Sequence, residues 1–234
     1  MTEPEKYFPR ERITAVICAR DEEQSIGQII QATLPHVSQV IVVDGNSRDK
    51  TSTIARSLGA LILTDNGLGK GDAIRCAIPQ ISTDITVFLD ADGSHDPQDI
   101  PLVCQPILEN RAEHVTASRL IGGSSELHGG FDEFFRLAGS SFITACINTR
   151  FGVKLSDSQN GFRAIKTSVL RSLNLQENLT TIEQEMIMKT LRAGYPMTEV
   201  PSHEHRRWYG KSHINVFKVS HRYIWTLIKY CYLR

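Results

Sequence analysis

Short apolar runs alternate with amphipathic stretches through the first hundred residues, and most runs end in glycine or acidic residues. Residues 13–18, 40–43, 60–63 and 85–89 read as buried strands, because these runs are short, apolar and bounded by turn formers. Residues 25–34, 52–58 and 72–81 carry helical periodicity, with Pro35 and Gly59 as stops for the first two. Beyond them, 98–109 reads as a helix, 114–118 as a fifth strand and 134–151 as a helix. A short strand follows around Ile165, then a helix that ends at Gly194, then an edge strand over 197–200. Strands alternating with helices predict a mostly parallel sheet with crossover helices, whose loops gather at the strand ends where such sheets hold ligands.

The fourth run ends in Asp90-Ala91-Asp92-Gly93. Two carboxylates roughly 5 Å apart at an effective dielectric of about 20 repel by on the order of 3 kcal/mol, so the pair calls for a counter-charge. A hard divalent cation shared with phosphates supplies one. The string is not a calcium loop, because His95 and Pro101 stand where that loop needs glycine and a bidentate acid. Asp96-Pro97 reads as an N-cap followed by the first helical residue, which leaves Asp90 unexplained.

Other loops reach the same edge. Asp44 ends the second strand and suits a base or ribose contact, and Gly69-Lys70-Gly71 could bring amides and an ammonium to phosphates, although the P-loop spacing is absent. Arg136 and Ser140 lie four apart on one helix face, as a surface pair or an anion cradle. Residues 156–165 pack polar groups before a short strand. Thr180 to Glu183 has capping-box spacing, which makes Glu183 a cap, and Glu185 has an i,i+4 partner in Lys189. His203, Glu204, His205 and His213 resemble metal ligands, but Arg206, Arg207 and Lys211 would repel a cation and suit an anion.

Composition narrows the field. Equal numbers of acidic and basic residues give a formal charge of zero, so nothing global indicates nucleic acid. Five scattered cysteines without a C-x-x-C pair indicate neither disulfides nor zinc, and a reducing cytoplasm is the simplest compartment. The charged N-terminus lacks the apolar core of a signal peptide, and no run is long enough to span a bilayer. From His205 to Arg234 there are seven Arg or Lys and no acid. Residues 1–213 are thus expected to form the main domain, with 214–234 a basic, aromatic-rich amphipathic helix that either docks on the domain or lies on the cytoplasmic face of a membrane as a peripheral contact.

Taken together, the order of motifs resembles the family 2 glycosyltransferases, and among them the polyprenyl-phosphate sugar synthases of the dolichyl-phosphate mannosyltransferase type. The likeness runs from about Ile13 to His213. It rests on VDGNSRDKT (Asp44, Ser47, Asp49, Thr51), the GKG and DAD turns, Ser118-Arg119, Arg136 with Ser140, D-x-x-x-G-F-R from Asp157 to Arg163, Glu185, the EVP at Glu199, and R-x-x-G-x-S from Arg207 to Ser212. The first-strand P-x-Y-N-E pattern survives only in its acid, in Cys18, Ala19, Arg20, Asp21 and Glu22, and His213 replaces the usual lysine.

The resemblance implies a GT-A fold: an α/β, Rossmann-like mixed sheet flanked by helices, here with a C-terminal basic helical arm. It implies that Asp90 and Asp92 hold Mg²⁺ or Mn²⁺ against the diphosphate of a GDP- or UDP-linked sugar. Ala19, Asp21, Glu22, Asp44, Ser47, Lys70, Gly71 and Ala91 would contact the nucleotide. Arg119, Arg136, Ser140, Arg163 and Arg207 would cradle a polyprenyl or dolichyl phosphate, with Asp157 and Glu185 also at the reacting centre. An anionic acceptor needs no general base, whereas transfer to a hydroxyl would need one, and Asp157 is the candidate. A nucleotidyltransferase and a non-catalytic nucleotide-sugar-binding subunit are the remaining alternatives.

Overall fold

The computed structural model describes residues 8–125, 131–209 and 216–233, and within these the side chains of 131–136 and 216–219 are left aside. Seven strands form one sheet: β1 (Ile13–Ala19), β2 (Gln39–Asp44), β3 (Leu61–Thr64), β4 (Ile85–Asp90), β5 (His114–Ser118), β6 (Arg163–Lys166) and β7 (Met197–Pro201), in the order β3-β2-β1-β4-β6-β5-β7. The first four are mutually parallel, as the alternating pattern predicts. β6 runs antiparallel between β4 and β5, so the sheet is mixed, as the resemblance implies. Nothing in β6 itself announces its direction, since four residues carry no information about which neighbours they join.

Helices cover both faces: α1 (Ile26–Thr33), α2 (Thr51–Ser57), α3 (Lys70–Ala77), α4 (Ile100–Leu108), a turn α5 (Arg119–Gly122), α6 (Phe131–Phe151), α7 (Thr167–Ser172), α8 (Ile182–Arg192) and α9 (Val216–Ile228). Alternate residues of β1 face opposite layers. Ile13, Ala15 and Ile17 pack with residues of α1 and α4, and Val16 packs with residues of α3 and α8. Each fully buried Ile or Val among them contributes about 1.5–3 kcal/mol. Prolines shift the predicted ends: Pro35 and Pro79 open short 3₁₀ turns at Leu34–His36 and Ile78–Gln80 instead of simply stopping or extending helices. Asp96 is the N-cap as expected, accepting from the Gln98 amide at 2.9 Å.

The division expected at residue 213 is not a division of cores. Leu227, Tyr230 and Cys231 are buried with Ile143 and Ile147 of α6 and Ile187 and Met188 of α8. The chain after α9 widens into a π-helical turn at Lys229–Leu233, which seats Tyr230 and Cys231. Ile224, Trp225, Ile228 and Tyr232, at helical spacing, stay exposed on the other side. Among the described residues no helix is long and apolar enough to cross a membrane.

Candidate active site

Strands β1, β2 and β4 end together, and their loops are tied to one another. The Asp21 amide donates to Ser47 Oγ at 2.9 Å, Asp21 Oδ1 accepts from the Arg48 amide at 2.7 Å, and the Glu22 amide donates to Thr51 Oγ1 at 2.8 Å. Asp44 is buried, where it accepts from both the amide and the hydroxyl of Ser47. Ala19 O accepts from the Gly45 amide at 2.8 Å. Ala19, Asp21, Glu22, Asp44 and Ser47 thus form one rim, and Ala91 is buried beneath the adjoining turn.

The GKG turn departs from expectation. Asn178 O takes the Gly71 amide at 2.8 Å and the Asp72 amide at 3.2 Å, so the start of α3 is closed by the 176–179 segment instead of facing open space. Gly71 is required there, since a Cβ would lie 2.3 Å from Glu177 O. Lys70 Nζ, expected at phosphate, contacts Asp90 Oδ1 at 2.6 Å and Glu183 Oε1 at 2.8 Å. Burial works against the charge of both partners, yet the carboxylates hold Lys70 firmly protonated, and Lys70, with His95 and Arg207, brings Asp90 down to about 2.

Asp92 is held from three sides. Its Oδ1 accepts from the Ser94 amide at 3.0 Å and from Ser94 Oγ at 2.6 Å, and its Oδ2 meets Arg207 Nη2 at 2.8 Å. Arg207 also reaches Glu22 Oε1 at 3.2 Å. Burial raises the Glu22 carboxyl above its usual range despite that guanidinium. The strand-like stretch bearing Arg207 is fastened to the DAD turn by His205 N to Ser94 O at 2.9 Å and Trp208 N to Asp92 O at 3.0 Å. Gly93, at φ +82°, lies under the Trp208 ring, and a Cβ there would come within 2.3 Å of it. Beside this contact opens a shallow cleft of about 560 Å³ lined by Ser125, His205, Arg206 and Trp208.

Counted over the ion-paired groups alone, without the buried Arg163 beneath them, four carboxylates (Glu22, Asp90, Asp92, Glu183) against two cations (Lys70, Arg207) give a formal charge of −2. Oxygen donors and an excess of two negative charges fit a hard divalent ion. Among the described residues no three His, Cys, Asp or Glu side chains converge as a ligand set. A cation here would therefore complete its shell with phosphate and water oxygens, as Mg²⁺ commonly does.

Of the residues expected to form a cationic cradle, Arg119, Arg163 and Arg207 are engaged with partners of the chain itself. Arg119 forms a fork on Asp157, Nε to Oδ2 at 2.6 Å and Nη2 to Oδ1 at 3.1 Å, and Nη1 reaches Glu204 Oε1 at 3.2 Å. The Asp157 carboxyl is buried, which opposes its charge, but Arg119 overrides burial and holds it below the usual range. That is the opposite of what a general base requires. Arg163 is wholly buried and donates to Glu183 O at 3.0 Å and to Asn160 O, so it braces the start of α8 against the 160–163 loop. Glu185 is equally buried. It accepts from the Gln176 and Glu177 amides at 2.8 and 2.7 Å and pairs with Lys189 at 2.7 Å, which makes it a brace for the 176–177 stretch. Ser140 is partly exposed on α6, while the Arg136 side chain, Lys211, Ser212 and His213 lie outside the described residues.

Sequence reasoning passed over Glu183, whose side chain caps nothing, and over His95, whose Nδ1 accepts from the Asp90 amide at 3.2 Å and whose ring stacks on Phe162. A buried acid on the inner face of α8 was the available signal for the first. His95 had none beyond its closeness to Asp92.

Residues 14–173 match the model of the family described as Glycosyl transferase family 2. The chain is 29% identical to the UDP-N-acetylglucosamine–dolichyl-phosphate N-acetylglucosaminyltransferase of Methanococcus voltae, over 70% of this chain and 73% of that protein. It is 26% identical to the dolichyl-phosphate hexose transferase of Haloferax volcanii, over 81% of each. It spans about half the length of two longer Haloferax volcanii relatives. Among solved structures, glucosyl-3-phosphoglycerate synthase from Mycobacterium tuberculosis, in complex with Mn²⁺, UDP and glucosyl-3-phosphoglycerate, superposes with a TM-score of 0.75 at 22% identity, covering 99% of this chain and 86% of that one.

Proposed function

This chain belongs to glycosyl transferase family 2, and we propose that it transfers a hexose, mannose or glucose, from a nucleotide sugar to a polyprenyl or dolichyl phosphate. The observation that carries the reading is the juxtaposition of two unlike sites: the acid cluster with its excess of two negative charges, and the cleft of His205, Arg206 and Trp208 hydrogen-bonded to the same turn. The first suits a cation with a diphosphate, and the second suits a phosphate with an apolar neighbour.

In this reading Asp90 and Asp92 would hold Mg²⁺ or Mn²⁺, and the bound cation offsets charge developing on the leaving diphosphate. The rim of Ala19, Asp21, Glu22, Asp44 and Ser47 receives the base and ribose. An acceptor phosphate oxygen is already anionic at neutral pH. It attacks C1 directly as the bond from C1 to the diphosphate oxygen breaks, with the electron pair leaving on the diphosphate. No proton moves, so no general base is required, and the anomeric centre inverts. The enclosed, arginine-bound state of Asp157 accords with this and disfavours transfer to a hydroxyl.

Two further observations support a lipid carrier. Two relatives are named for dolichyl phosphate. In addition, α9 and the π-helical turn after it carry exposed Ile224, Trp225, Ile228 and Tyr232 and no acid, as a helix resting on an anionic lipid surface would. On its docked side Tyr223 Oη donates to Thr180 Oγ1 at 2.6 Å and Lys229 Nζ pairs with Glu177 Oε1 at 2.7 Å, so the C-terminal helix is linked to the segment closing the GKG turn. A soluble phosphorylated acceptor is the second reading, prompted by the likeness to the synthase crystallised with glucosyl-3-phosphoglycerate. The test offers purified protein labelled GDP- and UDP-sugars with Mn²⁺ and either polyprenyl phosphate in detergent or 3-phosphoglycerate. Label entering the organic phase supports the first reading; label found only on the water-soluble acceptor, or on neither, overturns it.

A further inference from the structure

Glu183 enters the acid cluster from α8, and no step of the reaction above uses it. Its Oε1 lies 2.8 Å from Lys70 Nζ, while the same ammonium lies 2.6 Å from Asp90 Oδ1. Lys70 is therefore shared between two carboxylates. Arg207 repeats the arrangement on the other side of the turn, between Asp92 and Glu22. Each metal-candidate carboxylate thus faces a cation that a second, more distant acid also holds.

The surroundings keep this sharing tight. Glu183 is 5% exposed, so water contributes little to screening it. Its backbone carbonyl accepts from buried Arg163 at 3.0 Å, which fixes the start of α8 against the 160–163 loop. Gly161 in that loop leaves room for the pair, since a Cβ there would stand 2.8 Å from Lys70 Nζ and 3.0 Å from Asp90 Oδ2. Without the Glu183 charge, Lys70 would neutralise Asp90 alone, and the cluster would fall from a formal charge of −2 to −1. A divalent ion would then compete with an ammonium that has no other carboxylate partner among the described residues.

We propose that Glu183 is a positioning residue that acts through Lys70, drawing the ammonium partly off Asp90 so that Asp90 and Asp92 can accept a divalent cation. The inference rests on the metal reading of those two acids, and the experiment separates the two. Mn²⁺ binding is measured by electron paramagnetic resonance, with and without UDP, for the wild type, Glu183→Gln, Lys70→Met and the double variant, with thermal melting alongside. Glu183→Gln is expected to weaken Mn²⁺ binding by at least about tenfold, the effect of one charge about 6 Å from a divalent ion even at the dielectric of water. Lys70→Met is expected to tighten it, and the Gln substitution should matter less in that background. Glu183→Asp keeps the charge and should stay within about threefold of the wild type. Wild-type affinity in Glu183→Gln, or an equal loss in both backgrounds, overturns the proposal. If Glu183→Gln does not fold, Lys70→Met binding Mn²⁺ no tighter than the wild type overturns it. Absence of Mn²⁺ binding in the wild type, even with UDP, overturns the metal reading itself.

Discussion

Replacing Asp157 with asparagine distinguishes a structural ion pair from a catalytic base. The side chain is 1% exposed and meets Arg119, 13% exposed, through two hydrogen bonds at 2.6 and 3.1 Å. Asparagine keeps the shape and an acceptor for the Gln159 amide but leaves a buried guanidinium with Glu204 as its one remaining carboxylate among the described residues. Breaking a buried pair from one side costs about 3–5 kcal/mol, and the surviving Glu204 contact puts this case at the lower end, about 3 kcal/mol. For a chain of this size that lowers Tm by about 6–12 °C. The pH dependence follows from the same pair. The Asp157 carboxyl titrates lower in the folded state than in the unfolded chain, so its contribution is complete above the ordinary carboxylate value of 3.8 and is lost as the pH falls below it. Wild type and Asp157→Asn should therefore differ most in Tm above about pH 5 and converge as the pH falls through the lowered folded-state value. Differential scanning calorimetry across that range, with UDP affinity and turnover measured at 25 °C, gives the answer. An unchanged Tm together with abolished turnover and intact UDP binding would refute the ion-pair argument and restore Asp157 as a base.

Gly93→Ala should displace Trp208, because the new Cβ would fall 2.3 Å from its ring at a positive φ; a shift in Trp208 fluorescence in a Trp225→Phe background, with weaker donor binding, is the expected result. His114 is fully buried and pushed well below its usual pKa by burial and by Arg163, so its NMR resonances should not titrate between pH 7 and about pH 5.5. Because the unfolded chain takes up that proton and the folded one does not, stability should fall as pH drops below 6.5. Trp225→Glu with Ile228→Glu should abolish flotation on phosphatidylglycerol vesicles and leave Tm within about 1 °C, since both side chains are exposed. Retained flotation would mean that α9 is not the lipid contact.

The parallel half of the sheet was legible because buried strands are apolar on both faces and crossover helices impose their own period; residues 13–90 declare themselves without reference to anything distant. The Asp90-Ala91-Asp92 turn was legible for a related reason, since two neighbouring acids at a strand end cannot satisfy each other. The direction of β6 was not, nor were the partners of the charged residues. Arg119, Arg163 and Arg207 look alike in the sequence, yet one forks on Asp157, one braces buried carbonyls, and one spans Glu22 and Asp92. Glu183 has the spacing of a cap and instead completes an ion pair with a lysine from another helix. Local periodicity reports which face of an element is buried, and one chain segment contains it. The state of a charge depends on what lies within about 4 Å, where Coulomb energies in a partly dry interior reach several kcal/mol. Those neighbours come from α3, β4, α8 and the stretch after β7, so only the tertiary structure could decide which of these charges are committed to one another around the DAD turn.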